Sequence, residues 1–170
     1  MKRLMDGKKV KHWAFMVLVA CVFASCASLQ NRAERRAQMK QAVAAAVAER
    51  RLHVDITSMS TLRYGSRAVT TDFFLELRGD SVRSYLPYLG QARQAPMASP
   101  SQGLNFEVRA QRVSVTQPKA DCARFEIDLR TREDCYEYVL ELYDNGKAYI
   151  HVRSQNRDPI SFDGDFVPLQ

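Results

Sequence analysis

The sequence lacks the residue patterns that most metal sites and catalytic sites require. It holds only three histidines, and no His-x-His, His-Glu-x-x-His or Cys-x-x-Cys spacing occurs, so the pattern gives metal binding no support. A serine on a Gly-x-Ser-x-Gly turn and a glycine-rich phosphate loop are also missing. The run Asp163-Gly164-Asp165 lacks the remaining oxygen ligands of a calcium loop. These absences predict a protein that is not an enzyme and that holds neither a metal ion nor a cofactor.

A long apolar segment is missing as well. The run from Trp13 to Ala24 is too short to span a bilayer comfortably, and the basic residues before it are typical of a signal peptide. The run ends in FASC, which resembles the lipobox of bacterial lipoproteins, in which the cysteine is lipidated. We therefore predict a signal peptide over residues 1–25 and stable lipid anchoring through Cys26. Cys21, which ends LVAC, is the alternative lipid site, and an ordinary cleaved secretory signal is the other interpretation.

A strong positive charge is missing from the mature chain. The formal net charge is +6, but residues 1–25 carry five Lys/Arg and one acid, which leaves +2 after their removal. This balance gives no argument for nucleic-acid binding. The sequence CASLQNRAER places no acid directly after Cys26, which favours an outer-membrane anchor that faces the periplasm. We predict the cell envelope as the location and the bacterial membrane as a partner through the anchor.

Glycine and proline are missing from residues 32–51, where good helix formers dominate. Met39, Val43 and Val47 recur at a spacing of four residues and form one narrow apolar stripe. We expect residues 26–51 to be the lipidated N-terminus and a helical tether whose stripe packs on the following domain. The second interpretation places its cations near anionic lipid headgroups: Arg32, Arg35, Arg36 and Lys40.

From Leu52 onwards the apolar period changes to two, in short runs that turn signals separate. Residues 52–170 are therefore predicted to be all-β, as a small antiparallel lipocalin-like barrel of about eight strands. A β-sandwich is the alternative. The hydrophobic pattern also predicts the register of three hairpins, which pairs Leu77 with Val82, Leu129 with Tyr136, and Leu142 with Ala148.

Cysteine is scarce in the mature chain, where only Cys122 and Cys135 remain unmodified. Such a pair in an oxidising compartment would suggest a disulfide. The predicted register, however, places the two residues at opposite ends of one hairpin, roughly 25 Å apart at the rise of a strand. We predict two free thiols.

Three segments carry a resemblance to a known family. They are GDSVRSYLPYLGQA (residues 79–92), GLNFEV (103–108) and NGKAYIHVRSQNRDPISFDGDF (145–166). Together with the lipobox and the helix, they resemble an uncharacterised lipoprotein family common in gut Bacteroidetes, known as domain of unknown function 4251. The resemblance runs from about the helix to the C-terminus. It implies a small lipocalin-like antiparallel barrel and an envelope location, but no activity and no catalytic residues.

The stretch from Tyr85 to Gly103 is the strongest candidate for a functional site, because long loops in compact domains are often lids or binding loops. Tyr88 and Leu89 could plug one end of the barrel, or they could line a mouth with Met97 above it. We expect closure, because a barrel of about eight strands is just wide enough for its side chains to fill. Tyr85 points to the outer face, where it could contribute to a partner surface.

These patterns predict a non-enzymatic, lipid-anchored envelope protein that acts as a binding or interaction module. The predicted partner is a small apolar ligand or an envelope protein, with no nucleic acid. The alternative is a structural or accessory lipoprotein with a filled barrel and no ligand. A hydrolase is less favoured, because it would need a cleft where His53 or His151 meets a carboxylate and a hydroxyl.

Overall fold

The computed structural model describes residues 31–70, 72–91 and 103–169. Cys21, Cys26 and Met97 lie outside the described residues. The chain divides into two compact units, Met1–Gln38 and Met39–Gln170. The described part of the first unit is helical, and the second unit contains every described strand. No helix of the described ranges is long and apolar enough to cross a membrane.

Residues 31–49 form one helix, α1, and the strands follow it in the chain. They are β1 (Arg51–Thr61), β2 (Gly65–Ala68), β3 (Phe74–Arg78), β4 (Ser81–Pro87), β5 (Gly103–Arg109), β6 (Arg112–Lys119), β7 (Cys122–Arg130), β8 (Cys135–Tyr143), β9 (Lys147–Ser154) and β10 (Ile160–Val167).

The strands form one antiparallel sheet in the order β5-β4-β3-β1-β10-β9-β8-β7-β6, and β2 pairs with β1 beside this path. Strands β5 and β6 occupy opposite ends of the path, yet only Ala110 and Gln111 join them. The Ala110 N–H donates to Asp80 O at 2.7 Å, and the Gln111 N–H donates to Asp128 O at 2.8 Å. Because this short linker contacts both ends of the path, the nine strands must curl into a half-barrel.

The prediction of an all-β fold with an N-terminal helix and a lipocalin-like antiparallel barrel is confirmed. One curled sheet is present rather than the two packed sheets of a sandwich. The path contains nine strands, slightly more than the predicted number. The extra element beside it, β2 (GSRA), has no apolar alternation and is fully exposed, so the periodicity gave no signal for it.

The three predicted hairpin registers are confirmed. Leu77 pairs with Val82, Leu129 with Tyr136, and Leu142 with Ala148. The last hairpin turns through Gly146 at a φ of 84°, a left-handed conformation that glycine adopts without steric cost. Cys122 and Cys135 pair with Tyr143 and Arg130 at opposite ends of one hairpin, and both are free thiols, as predicted.

Side chains fill the interior of the half-barrel. Its largest fully buried residues include Tyr138, Phe125 and Phe162, contributed by β8, β7 and β10. Burial of side chains of this size contributes about 1.5–3 kcal/mol each. The buried Ser84 hydroxyl donates to Leu104 O at 2.7 Å and lies 3.1 Å from Tyr138 Oη, so the polar groups of this core have partners. Among the described residues, these side chains form one continuous hydrophobic core.

The second half of α1 packs on the sheet, as its apolar stripe predicted. Val43 and Ala46 are buried, and Met39 and Val47 are partly buried against the core. The helix ends at Arg50, which has a φ of 51° and accepts a hydrogen bond from the Gly79 N–H at its carbonyl. This left-handed residue reverses the chain into β1. From Met39 onwards, helix α1 therefore packs against the ends of β6, β7 and β8.

Candidate functional site

Tyr88 and Leu89 follow the end of β4 and are partly buried against the core. The Tyr88 hydroxyl oxygen lies 3.0 Å from Gln91 O and 3.3 Å from Asp158 O, and its one proton can donate to either carbonyl. The Arg157 guanidinium lies 5.2 Å from the centre of the Tyr88 ring, and burial raises the pKa of the Tyr88 phenol. These contacts hold Tyr88 against the connection between β9 and β10, and Leu89 packs against the core.

Tyr85 lies on the outer face of β4, paired with Phe74. Its ring centre is 5.2 Å from that of Phe73 and 5.9 Å from that of Phe74, and the residue is 40% exposed. Tyr149, a second exposed tyrosine, belongs to β9, four strands away in the sheet, and its hydroxyl donates to Ser161 Oγ at 2.9 Å. The structure therefore brings Tyr85 together with phenylalanines and places Tyr149 on a distant strand of the same sheet.

His53 and His151, the two histidines in the part of the chain that the structure describes, lie on the outer face of the sheet. His53 Nδ1 is 3.3 Å from Glu76 Oε2, its Nε2 is 3.0 Å from Asp55 Oδ1, and its ring stacks on Phe74. His151 Nδ1 is 2.8 Å from Ser161 Oγ, and burial lowers the pKa of this imidazole. Within the described ranges, no group of three or more His, Cys, Asp or Glu side chains is arranged to hold a metal ion.

A groove between the second half of α1 and the sheet was not predicted from the sequence. It measures about 460 Å³ and is lined by one side of the helix, by the end of β6, the start of β7 and the end of β8. Its helical wall is made of Val43, Ala44, Val47 and Ala48, and its sheet wall includes Val115, Cys122, Ala123 and Leu142. We call this space the helix–sheet groove. The surface that it offers is mainly aliphatic.

Small side chains on the helix and an irregularity in the strand pairing together form the helix–sheet groove. Ala44 and Ala48 lie one helical turn apart, and their small side chains leave space where larger ones would reach the sheet. On the opposite wall, the pairing of β6 with β7 shifts register between Thr116 and Lys119. Such a bulge bends the strand and disrupts its regular pairing. The alanine spacing was visible in the sequence, but its meaning depends on where the helix docks.

The rim of the groove is polar, whereas its floor is not. Lys40 Nζ lies 3.4 Å from Asp144 Oδ2, and this ion pair links the helix to the turn between β8 and β9. Cys122 is buried, and its burial raises the pKa of the thiol, which keeps it neutral. The groove can therefore take an apolar group without burying an uncompensated charge.

The chain resembles proteins that share its fold. A family model described as domain of unknown function, DUF4251, matches residues 34–166. A crystal structure of a DUF4251 family protein from Bacteroides eggerthii DSM 20697 is similar, with a TM-score of 0.55 and 12% sequence identity. The similarity covers 76% of this chain and 87% of that one. No curated protein matches the sequence. At this identity the structural similarity supports the fold alone.

Proposed function

The chain belongs to the DUF4251 family, and we propose that it is a lipid-anchored envelope protein that binds a small apolar ligand. The helix–sheet groove carries this proposal. Its volume of about 460 Å³ falls in the range of small-molecule pockets, which are concave and mostly apolar with few polar groups. Its aliphatic walls on the helix and on the sheet offer an apolar ligand two surfaces to contact.

The ion pair of Lys40 with Asp144 favours an uncharged ligand. The two charges already compensate each other at the rim, and Asp121 lies beside them in the same lining. An anionic headgroup would have to displace Asp144 from Lys40 while it approaches a second carboxylate. A neutral hydrocarbon group gains from burial and leaves the ion pair intact. Neutral apolar compounds are therefore the ligand class that this groove fits best.

Ala44→Phe is expected to weaken the binding of a neutral apolar probe by about tenfold or more, since about 1.4 kcal/mol of lost contact has that effect. N-phenyl-1-naphthylamine serves as the probe, and its fluorescence enhancement measures binding to the chain from residue 27 onwards. Ala44 lines the groove, so a phenyl ring there occupies ligand space. Ala45→Phe is the matched control, because Ala45 is the next residue of the same helix and is exposed outside the groove lining.

Ala48→Phe provides a second readout of the same site. Because Ala48 lines the groove one helical turn from Ala44, a phenyl ring there should weaken probe binding in the same way. Equal probe binding by the Ala44→Phe and Ala45→Phe variants would contradict the proposed site. An absence of any enhancement with the unsubstituted chain would favour the structural or accessory role without a ligand.

Cys26→Ser is expected to abolish lipidation and to release the protein from the membrane fraction. The chain is expressed in a bacterium that processes lipoproteins and is fed an alkynyl fatty acid, and label on the protein is measured after gel separation. Cys21→Ser is the control and should keep full labelling. The opposite pattern would move the anchor to Cys21, and unlabelled wild-type protein would contradict anchoring. Resistance to protease added to intact cells is expected for a chain that faces the periplasm.

A further inference from the structure

A second hollow lies on the outer face of the sheet, away from α1. Three neighbouring strands build it, with Phe74 on β3, Arg83 and Tyr85 on β4, and Asn105 and Glu107 on β5. Its volume is about 340 Å³. We call it the aromatic hollow. It shares no residue with the helix–sheet groove, so nothing about it depends on the function proposed for that groove.

The sheet register places the groups of the aromatic hollow side by side. Tyr85 pairs with Phe74 on one side and with Asn105 on the other, and Arg83 pairs with Glu107. Outward residues two positions apart on a strand share one face, so all five side chains project in the same direction. Hydrogen-bonded neighbours on both sides of β4 hold these positions before any ligand arrives. A preorganised site of this kind loses little entropy on binding.

The aromatic part of the hollow is fixed, and one ring remains accessible. Phe74 stacks on His53 with ring centres 5.0 Å apart, and the Arg83 guanidinium lies 5.5 Å from its ring centre. Tyr85 packs against Phe73 and Phe74 at a tilt and is 40% exposed. The negative face of an aromatic ring attracts weakly positive C–H groups. Tyr85 therefore offers a platform for a ligand with a C–H face.

The polar part of the hollow supplies donors and acceptors in planar groups. The Arg83 guanidinium donates only, the Glu107 carboxylate accepts only, and the Asn105 amide does both. Adjacent hydroxyls of a sugar ring donate and accept in the same way, and the C–H groups of the ring form an apolar face. We propose that the aromatic hollow binds a neutral saccharide, with a sugar ring on Tyr85 and its hydroxyls bonded to Asn105, Arg83 and Glu107.

Other ligand classes fit the aromatic hollow less well. An anion would meet Glu107 beside Arg83, and Glu76 borders the adjoining hollow that Arg83 also lines. A purely apolar ligand would cover an amide, a carboxylate and a guanidinium without replacing their hydrogen bonds to water, which is costly. A saccharide satisfies these groups and the aromatic platform at once.

Tyr85→Ala is expected to weaken saccharide binding by about tenfold or more, because stacking on this ring is lost. The full chain is purified in a detergent without a sugar headgroup. Binding is measured by saturation-transfer NMR and calorimetry against oligomers of glucose, mannose, galactose and N-acetylglucosamine. Tyr149→Ala is the matched control, since Tyr149 is 38% exposed on the same outer face but lies outside the hollow. It should bind as the unsubstituted chain does.

Two further variants keep the test decisive if Tyr85→Ala folds poorly. Tyr85→Phe retains the aromatic platform and should keep most of the affinity for the saccharide. Asn105→Ala should weaken saccharide binding several-fold, while circular dichroism shows that its fold is intact. The proposal is wrong if none of these neutral oligosaccharides binds, or if Tyr149→Ala weakens binding as much as Tyr85→Ala. Binding to heparin alone, lost in Arg83→Gln and retained in Tyr85→Ala, would also overturn it and indicate an electrostatic surface.

Discussion

Replacement of Gly164 by alanine is expected to lower the free energy of unfolding by about 3 kcal/mol, the upper end for overpacking. Gly164 is buried in β10 and pairs with Ile56 of β1. A Cβ atom at this position would lie 2.3 Å from Asp55 O and 2.8 Å from Val54 Cγ1. The nearest atom belongs to a backbone, so the clash can be relieved only by separating two central strands. The φ of Gly164 is not left-handed, so the requirement for glycine comes from close approach alone.

Asp165→Ala is the matched control for this prediction. The neighbouring side chain is exposed and forms an ion pair with Lys147, whose Nζ lies 2.6 Å from Asp165 Oδ1. Surface ion pairs of this kind contribute about 0–1 kcal/mol, so the free energy of unfolding of the control should be close to that of the unsubstituted chain. Urea denaturation of both variants measures the difference. If the free energies of unfolding of the two variants differ by less than about 0.5 kcal/mol, the contact between β1 and β10 is looser than the structure shows.

The hairpins could be predicted because their determinants are local. A turn residue such as Gly146 and the alternation of apolar residues around it specify which residues face each other. The order of the whole sheet could not be predicted in this way. The pairing of β1 with both β3 and β10 joins segments that no short turn connects, and the two-residue linker from β5 to β6 looks in the sequence like an ordinary hairpin turn.

In the candidate sites too, contacts within one hairpin could be predicted from the sequence, whereas contacts between distant segments could not. The parity of Tyr85 placed it on the outer face beside Phe74, because both residues belong to one hairpin. Asn105 and Glu107 belong to β5, which lies well beyond β4 in the sequence, so their proximity to Tyr85 required the tertiary structure. The helix–sheet groove depends on the docking of α1, and a stripe of valines shows that a helix packs without showing where it leaves a gap.

Alkaline solution is expected to unfold this protein through its buried phenols. Tyr136 and Tyr138 form an aromatic cluster with Phe106, with ring centres 5.2 Å apart for Phe106 and Tyr136. Burial raises the pKa of Tyr136 to about 12 and raises the pKa of Tyr138 as well. An unfolded tyrosine has a pKa of about 10, so the unfolded chain loses these protons first. Their contribution to stability is complete below pH 10 and is lost as the pH rises through about 12.

Tyr136→Phe is expected to reduce the slope with which the free energy of unfolding falls as the pH rises. The substitution keeps the aromatic ring of the cluster and removes one ionisable group. Each buried phenol removes at most about 1.4 kcal/mol per pH unit in this window. Urea unfolding measured at several pH values above neutrality gives the slopes, and the absorbance of the phenolate shows when the buried groups ionise. Tyr64→Phe is the control, since Tyr64 is 52% exposed and its variant should keep the wild-type slope. Equal slopes for Tyr136→Phe and the unsubstituted chain would show that ionisation of this phenol is not linked to unfolding. A reduced slope would show that the unfolded chain releases the Tyr136 proton more readily than the folded chain does.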